Sequence, residues 1–550
     1  MKAEHNGREG QDKRTRQKEQ GMVLLAAVVM MSGLIFVSTT TSLNAVNQTK
    51  VTSVELEETR TFYAAEAAVE WGANELRTLL LSNLDPEQDE LDMLAAPNLE
   101  GYYLEDYQIQ KAGSTSSEII TAGDYIGLYG FVQRYNVQAR VTSERRSAGI
   151  VREIQHQYIP LFQFGVFYDE DLEIFPGASM TFSGRIHTNA DLYMGTSANI
   201  NCDSYVTAVG QYWHYRKDGG MIDESGPVNI KDALGVYENV NRGGYWLDNR
   251  RASWANESLE VWGGMMRDQA HGLSNLKLPL PPASDQHVIV ERPDPGDGAT
   301  ERAQKYWYKA SVRYLDGVLT DSLGNVLNQP GVYTYYSNKF YDDRENKTAD
   351  VVEVDVAAMI AGNYIPPNGI IYISSASGDF PAVRIKNATT LPNGGLTIAT
   401  DLPLYVKGNY NSVSKKGASL LCDAITLLSP NWNDGNSTKS LSYRTATNMS
   451  INCCVMTGHV GTIEGSTYSG GFENLFRFLE NWSGKTVSYR GSVIDLWYSQ
   501  HATISWSYGS YYTAPNRNWG FDTDLLDPNN WPPGTPRVHT IQRGAWRQIS

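Results

Sequence analysis

Residues 22–37 are apolar without a break, and the residues on either side decide what such a block can be. Ahead of it, Lys2, Arg8, Lys13, Arg14, Arg16 and Lys18 outnumber the acids, and the charge stops at Gly21. Positive charge before an apolar segment keeps the N-terminus in the cytoplasm and sends the downstream chain across the membrane. A secretory signal would end its apolar core at a small-residue cleavage site. Here the core runs on into Ser38-Thr39-Thr40-Thr41-Ser42-Leu43 with no such site. This order places a cleavable junction ahead of the block, at Gly21 and Met22, rather than behind it. The apolar run is a little short of the ~20 residues that a span needs, and residues 38–43 extend it. The cytoplasmic membrane is therefore expected to hold residues 22–43 in a single pass, with the rest of the chain outside the cytoplasm.

Beyond the bilayer the apolar positions narrow to a stripe of Val51, Val54, Phe62, Ala65, Ala68 or Val69, Gly72, Leu76, Leu79 and Leu80. Steps of three and four make an amphipathic helix, which Pro86 ends. One helix over 22–84 would be about 90 Å long. The segments Gly21-Met22-Val23-Leu24-Leu25 and Arg60-Thr61-Phe62-Tyr63-Ala64-Ala65-Glu66-Ala67-Ala68-Val69-Glu70 together resemble the N-terminal region of PilX-type minor pilins. More broadly, they are similar to type IV pilins and pseudopilins. The resemblance implies a cytoplasmic leader, 1–21, cut after Gly21 by a prepilin peptidase. It also implies association with other pilin or pseudopilin subunits in a type IV pilus or a type II secretion-like assembly. The fifth position after the junction is Ala26, where major pilins usually carry Glu, and this departure points to a minor component at a tip or initiating complex.

Composition bounds the remainder. Charged residues are 19 % of the 550, and Gly (49) and Tyr (33) are plentiful, which suits an exported β-rich protein with many tight turns. A net charge of −15 argues against a nucleic-acid partner, because phosphate contacts need clustered cations. The four cysteines, Cys202, Cys422, Cys453 and Cys454, form no C-x-x-C. They read as buried free thiols or as one long-range bridge. Adjacent strand residues face opposite ways, so at most one of Cys453 and Cys454 is expected in a core.

The fold class is α+β. Alternating segments in 85–160 predict a small antiparallel head sheet against the helix. From 161 the texture becomes short apolar runs broken by Gly and Asn, and it returns after 366. Residues 161–210 and 366–550 are therefore assigned to a mainly β ectodomain, with a parallel β-solenoid preferred over an antiparallel sandwich. Residues 211–365 read as an insertion, with Leu278-Pro279-Leu280-Pro281-Pro282 as an extended linker. The segments "FYDEDLEIFPG", "GRIHTNADLYMG" and "FYDDRENKTADVVEVDV" resemble an ectodomain of unknown function in bacterial envelope proteins, which implies no activity.

Three places invite a site. Asp522, Asp524 and Asp527 offer oxygen ligands to Ca2+, although the spacing lacks the Gly and terminal Glu of an EF-hand; capping of turn amides is the simpler reading. Trp432, Asn433 and Asp434 form a turn-rich loop that suits sugar binding by ring stacking, against a plain solvated loop. His187 in "GRIHTNAD" is the best lone histidine for acid–base work, with no partner fixed by the sequence. Residues 471–482 read as a short amphipathic helix covering an open end of the body. No G-x-S-x-G, H-E-x-x-H or P-loop pattern occurs. The expected role is structural, with no enzymatic activity and no cofactor beyond the Ca2+ candidate. A surface polysaccharide-active enzyme and a sugar-binding adhesin are the rival readings.

Overall fold

The structure is a computed structural model and describes residues 5–219, 222–466, 468–507, 509 and 511–549. It is a long N-terminal helix followed by a large, mostly β body with several sheets. The helix α1 (His5–Ser82) begins in the leader rather than at Met22. Of the expected leader 1–21, residues 1–4 lie outside the described residues. The early start has its cause in composition, since residues 8–20 are nearly all Lys, Arg, Gln and Glu, with no proline.

The last third of α1 lies across the strands Tyr129–Thr142 and Ser147–Pro160. Ala65, Ala68, Leu76 and Leu80 are fully buried there against Val137, Ala139, Val141 and Ile150. The small residues let the helix approach closely. A Cβ on Gly72 would stand 2.6 Å from Tyr107 Oη and 2.7 Å from Val137 Cγ1. Gly72→Val should therefore cost ~1–3 kcal/mol by overpacking, although glycine is a poor helix former. Denaturant unfolding of the detergent-solubilised protein checks this. Gly33→Ala, where nothing lies within 4 Å, is the control expected to leave stability unchanged or raised.

The head sheet is antiparallel, in the order Tyr103–Lys111, Tyr129–Thr142, Ser147–Pro160, Arg537–Ile549, with Ser116–Ile119 also on the second strand. Its fourth strand is the C-terminus. Residues 537–549 thus belong to the head, which corrects their expected place in the ectodomain.

In the body the ladders are almost all parallel. One rung runs Val312, Ile371, Ile398, Leu420, Val455, Val493, Val166, Ile186, Val206, Met266, each residue directly paired with the next. All ten side chains are buried in one core. The chain enters this row in the middle, at Phe164–Tyr168, and steps outward through Arg185–Thr188 and Val206–Ala208 to one end. It then runs along the outside, resumes at the other end with Val312–Leu315, and returns to the middle at Val493–Tyr498. A second row of parallel strands carries Val354, Ile385, Val406, Leu427 and Phe478. Asn387 and Asn411 occupy corners with φ of 54° and 53°, the left-handed region that Asn tolerates.

This topology corrects the expected insertion. Within 211–365, Val228–Lys231, Val312–Leu315 and Lys347–Asp355 are ladder members of the body. The stretch from about 268 to 311 runs outside the rows, and it is not a free linker. Leu276, Leu278, Leu280, Ile289 and Val290 are buried on the outer face of the main sheet with Phe167, Tyr372, Leu421, Met456 and Ile494. The sheet is thus apolar on both faces, as parallel sheets are. That is why Cys453 and Cys454 are both buried, Cys453 in the inner core and Cys454 under the outer layer. The four thiols are free. The expected helix at 471–482 is instead a 3-10 turn, Phe472–Asn474, and a short strand, Arg477–Phe478. Its apolar residues enter cores on two faces rather than lining one stripe.

Candidate functional site

Two regions stand out once the packing is accounted for. The first is the upper part of α1. Residues 22–49 hold no ionisable side chain, and the apolar ones from Met22 to Val37 are exposed, with no part of the chain folding back over them. By length and composition this helix is able to cross a membrane. Four of its hydroxyls bond back to the helix. Ser32, Thr39 and Thr41 donate to the carbonyls of Val28, Ile35 and Val37 at 2.7, 2.6 and 2.7 Å, and Thr40 donates to Phe36. A polar group so bonded is tolerated where water is absent. Lower down, Glu70 ties α1 to the head through Arg152 at 2.9 Å and Arg543 at 2.6 Å.

The second region is a cleft of about 1110 Å3 where the end of α1, the C-terminal strand, the outer segment and the body meet. Arg77 and Leu81 come from α1, His539 and Ile541 from the strand, and Lys277 and Gln286 from the outer segment. Asp169, Glu170, Tyr498 and Gln500 come from turns of the body. Lys277 Nζ is 3.5 Å from Asp169 Oδ2, and Tyr498 Oη donates to Glu170 at 3.3 Å. Behind the strand, His156 Nε2 and His539 Nδ1 share a hydrogen bond of 2.8 Å. Burial, and for His156 also its neighbour His539, drops these imidazoles to about 3 and about 4.

Near the cleft, where the two halves of the row meet, lies a polar pocket lined by Glu173, His459 and Arg477. Glu173 is 7 % exposed, its Oε2 has no partner among the described residues, and burial raises its carboxyl to about 7. His459 Nδ1 is 2.9 Å from Asp495. No group of three or more His, Cys, Asp or Glu suited to a metal occurs among the described residues.

No protein-family model matches this chain, and no curated protein does. A solved structure that does match is the competence-associated pilin ComZ from Thermus thermophilus. The identity is 10 % and the TM-score 0.27, over 90 % of this chain and 97 % of that one. A score that low transfers no role.

The structure gives each residue singled out in the sequence a definite place. Gly21 and Met22 lie inside α1, exposed, with open space around the Gly21 Cα. Trp432 is only 4 % exposed: Phe340 packs edge-on at 5.8 Å, and Nε1 donates to Asp434 at 2.8 Å. Asn433 Oδ1 accepts from Gly435 N, and Asp434 is bound by Arg384 at 2.6 Å. The loop is thus pinned to the sheet by a buried arginine, and no ring face is free to stack on sugar. Lys415 Nζ lies 2.7 Å from both Asp522 and Asp524, where a cation would sit, and Asp527 accepts from Asn529 N. Each of these carboxylates is thus engaged by a turn amide or by the Lys415 ammonium. His187 is fully buried on the outer row, bonded to Thr207 at 2.9 Å and Asn189 at 3.2 Å. Burial holds it down at about 4, so it is no surface base.

Sequence reasoning missed the cleft, whose walls come from stretches of the chain far apart in sequence. One usable signal existed nearby: Asp171, Asp191 and Gln211 recur every 20 residues and are chained by hydrogen bonds. Asp191 N donates to Asp171, and Gln211 N donates to Asp191, at 3.0 and 2.7 Å.

Proposed function

We propose that this chain is a membrane-anchored, pilin-like structural subunit of the PilX type. It would serve as a minor component of a type IV pilus or type II secretion-like assembly, at the tip or in the initiating complex. The observation that carries the reading is the uncharged apolar half of α1, bare of any covering chain and continuous with the half that packs on the head sheet. Exposed apolar surface of that extent requires a bilayer or neighbouring helices. In this reading a prepilin peptidase cuts between Gly21 and Met22, the freed helix leaves the bilayer to pack beside other pilin-type helices, and the body stays outside the cytoplasm. The body is read as a parallel β-solenoid carried on the head, on the strength of the ten-residue rung. Its bulk favours a position with open space over a repeated place along a filament. Catalysis and a cofactor form no part of the role.

N-terminal sequencing of the membrane-extracted protein should begin at Met22, and the protein should appear in sheared filament fractions at low copy. An intact leader would remove the pilin reading. Labelling distributed along whole filaments would remove the tip assignment.

A further inference from the structure

The cleft between helix end, C-terminal strand and body has no part in the anchoring role, yet it encloses about 1110 Å3. Its chemistry is mixed in a particular way. Its lining carries both signs, with Arg77 and Lys277 as cations, Asp169, Glu170 and Asp285 as carboxylates, and Lys277 beside Asp169, so no single charge sign dominates. Asp169 is 8 % exposed at its side chain and is held in place by Asn189, which donates to it at 2.6 Å. Gln286 is 7 % exposed. Its Oε1 accepts from Leu278 N at 3.2 Å, while its Nε2 has no partner among the described residues. Tyr498 is 49 % exposed at the rim, with its hydroxyl on Glu170 and one side against His459 at 5.0 Å. Pro281 and Pro282 add apolar surface.

We propose that this cleft binds a neutral oligosaccharide. Sugar hydroxyls both donate and accept, so they match a lining that offers carboxylates, amides and cations together. The apolar faces of the sugar rings match a half-exposed tyrosine and prolines. A polyanion would meet Asp169 and Glu170, and a purely apolar ligand would strand the polar groups. An extended peptide adding to the free edge of Arg537–Ile549 is the competing occupant. That edge is already bridged at its cleft end, where His539 N donates to Lys277 O at 2.8 Å. A register shift between Arg543 and Trp546 then breaks the ladder further along. The proposal does not depend on the pilin reading, since the cleft exists whether or not the leader is removed.

The test is titration of the detergent-solubilised full chain with maltohexaose, cellohexaose and N-acetylchitohexaose, monitored by calorimetry and by tryptophan fluorescence. At least one should saturate with a dissociation constant between micromolar and millimolar. Tyr498→Ala and Lys277→Ala, both at exposed positions, should each weaken it tenfold or more while leaving the unfolding transition in place. Absence of saturation by all three up to about 10 mM overturns the proposal. So does binding that neither substitution moves, or binding of an unstructured peptide in the cleft where no sugar binds.

Discussion

Acidification from pH 7 to pH 4 should unfold the junction between head and body. His156, His187 and His539 are buried and neutral, with their imidazoles pushed down to about 3, 4 and 4, chiefly by burial. In the unfolded chain each would titrate near 6.5. Above that value both states are neutral and the full stability is present. As the pH falls from 6.5 towards 4, only the unfolded chain takes up protons, and stability is lost. Shifts of this size amount to ~3–5 kcal/mol each, roughly 10 kcal/mol together, comparable with the whole stability of a typical domain. Glu173 and Glu480, both raised to about 7 by burial, act in the opposite sense and destabilise as the pH rises from 4.5 to 7. Asp401 and Asp495, also raised by burial, act in the same sense as these glutamates, so the acid loss is expected locally, where the three imidazoles sit, rather than across the whole chain. In the double variant His156→Leu/His539→Leu both partners of the 2.8 Å bond are replaced together. Such an exchange is nearly neutral at pH 7.5. It should move the acid midpoint, monitored by tryptophan fluorescence, down by about half a pH unit or more. An unchanged midpoint would show that this pair does not set the acid limit.

How much of the molecule is legible in its sequence differs by region, for physical reasons. The apolar stretch of α1 is legible because a run long and apolar enough to cross a membrane is a local and unbroken signal, and the head strands because one side of an antiparallel sheet alternates. The body strands are legible as apolar runs but not as an order. Both faces of the main sheet are buried, so the period of two that betrays a strand is erased. The inward residues Ile371, Ile398, Leu420, Val455 and Val493 are spaced 27, 22, 35 and 38 apart. Loops of unequal length hide any repeat, and nothing local tells that the chain starts mid-row. The segment 471–482 shows the same effect at small scale. Phe472, Leu475, Phe476 and Trp482 point to the inner core and Leu479 to the outer one, which together imitate helical spacing. What holds the candidate loop at 432–434 is not legible because its anchor, Arg384, lies 50 residues away in the sequence.

The largest single-residue loss is expected at Arg477. This side chain is 6 % exposed and Glu345 is 1 % exposed; they are joined at 2.5 Å. Arg477 also donates to the Ala502 carbonyl, and Glu345 Oε2 accepts from Ile504 N at 3.2 Å. The pair thus ties the turn between Tyr333–Asp342 and Lys347–Asp355 to the far strand Arg477–Phe478 and to residues 502–504. The same turn carries Asp342, which accepts from Tyr405 Oη at 2.5 Å and from the amides of Arg344 and Glu345. Arg477→Met leaves Glu345 buried with one amide donor in place of a guanidinium. Breaking a buried pair from one side costs ~3–5 kcal/mol. Removing both charges in Arg477→Met/Glu345→Met should recover much of that loss, because desolvation of two ions disappears together with their attraction. A double-mutant cycle by urea unfolding at pH 7.5 measures the difference. If the double variant were as unstable as the sum of the two singles, the charges would not act as a pair, and the turn would be held by its other ties, Asp342 to Tyr405 and Asp343 to Arg444.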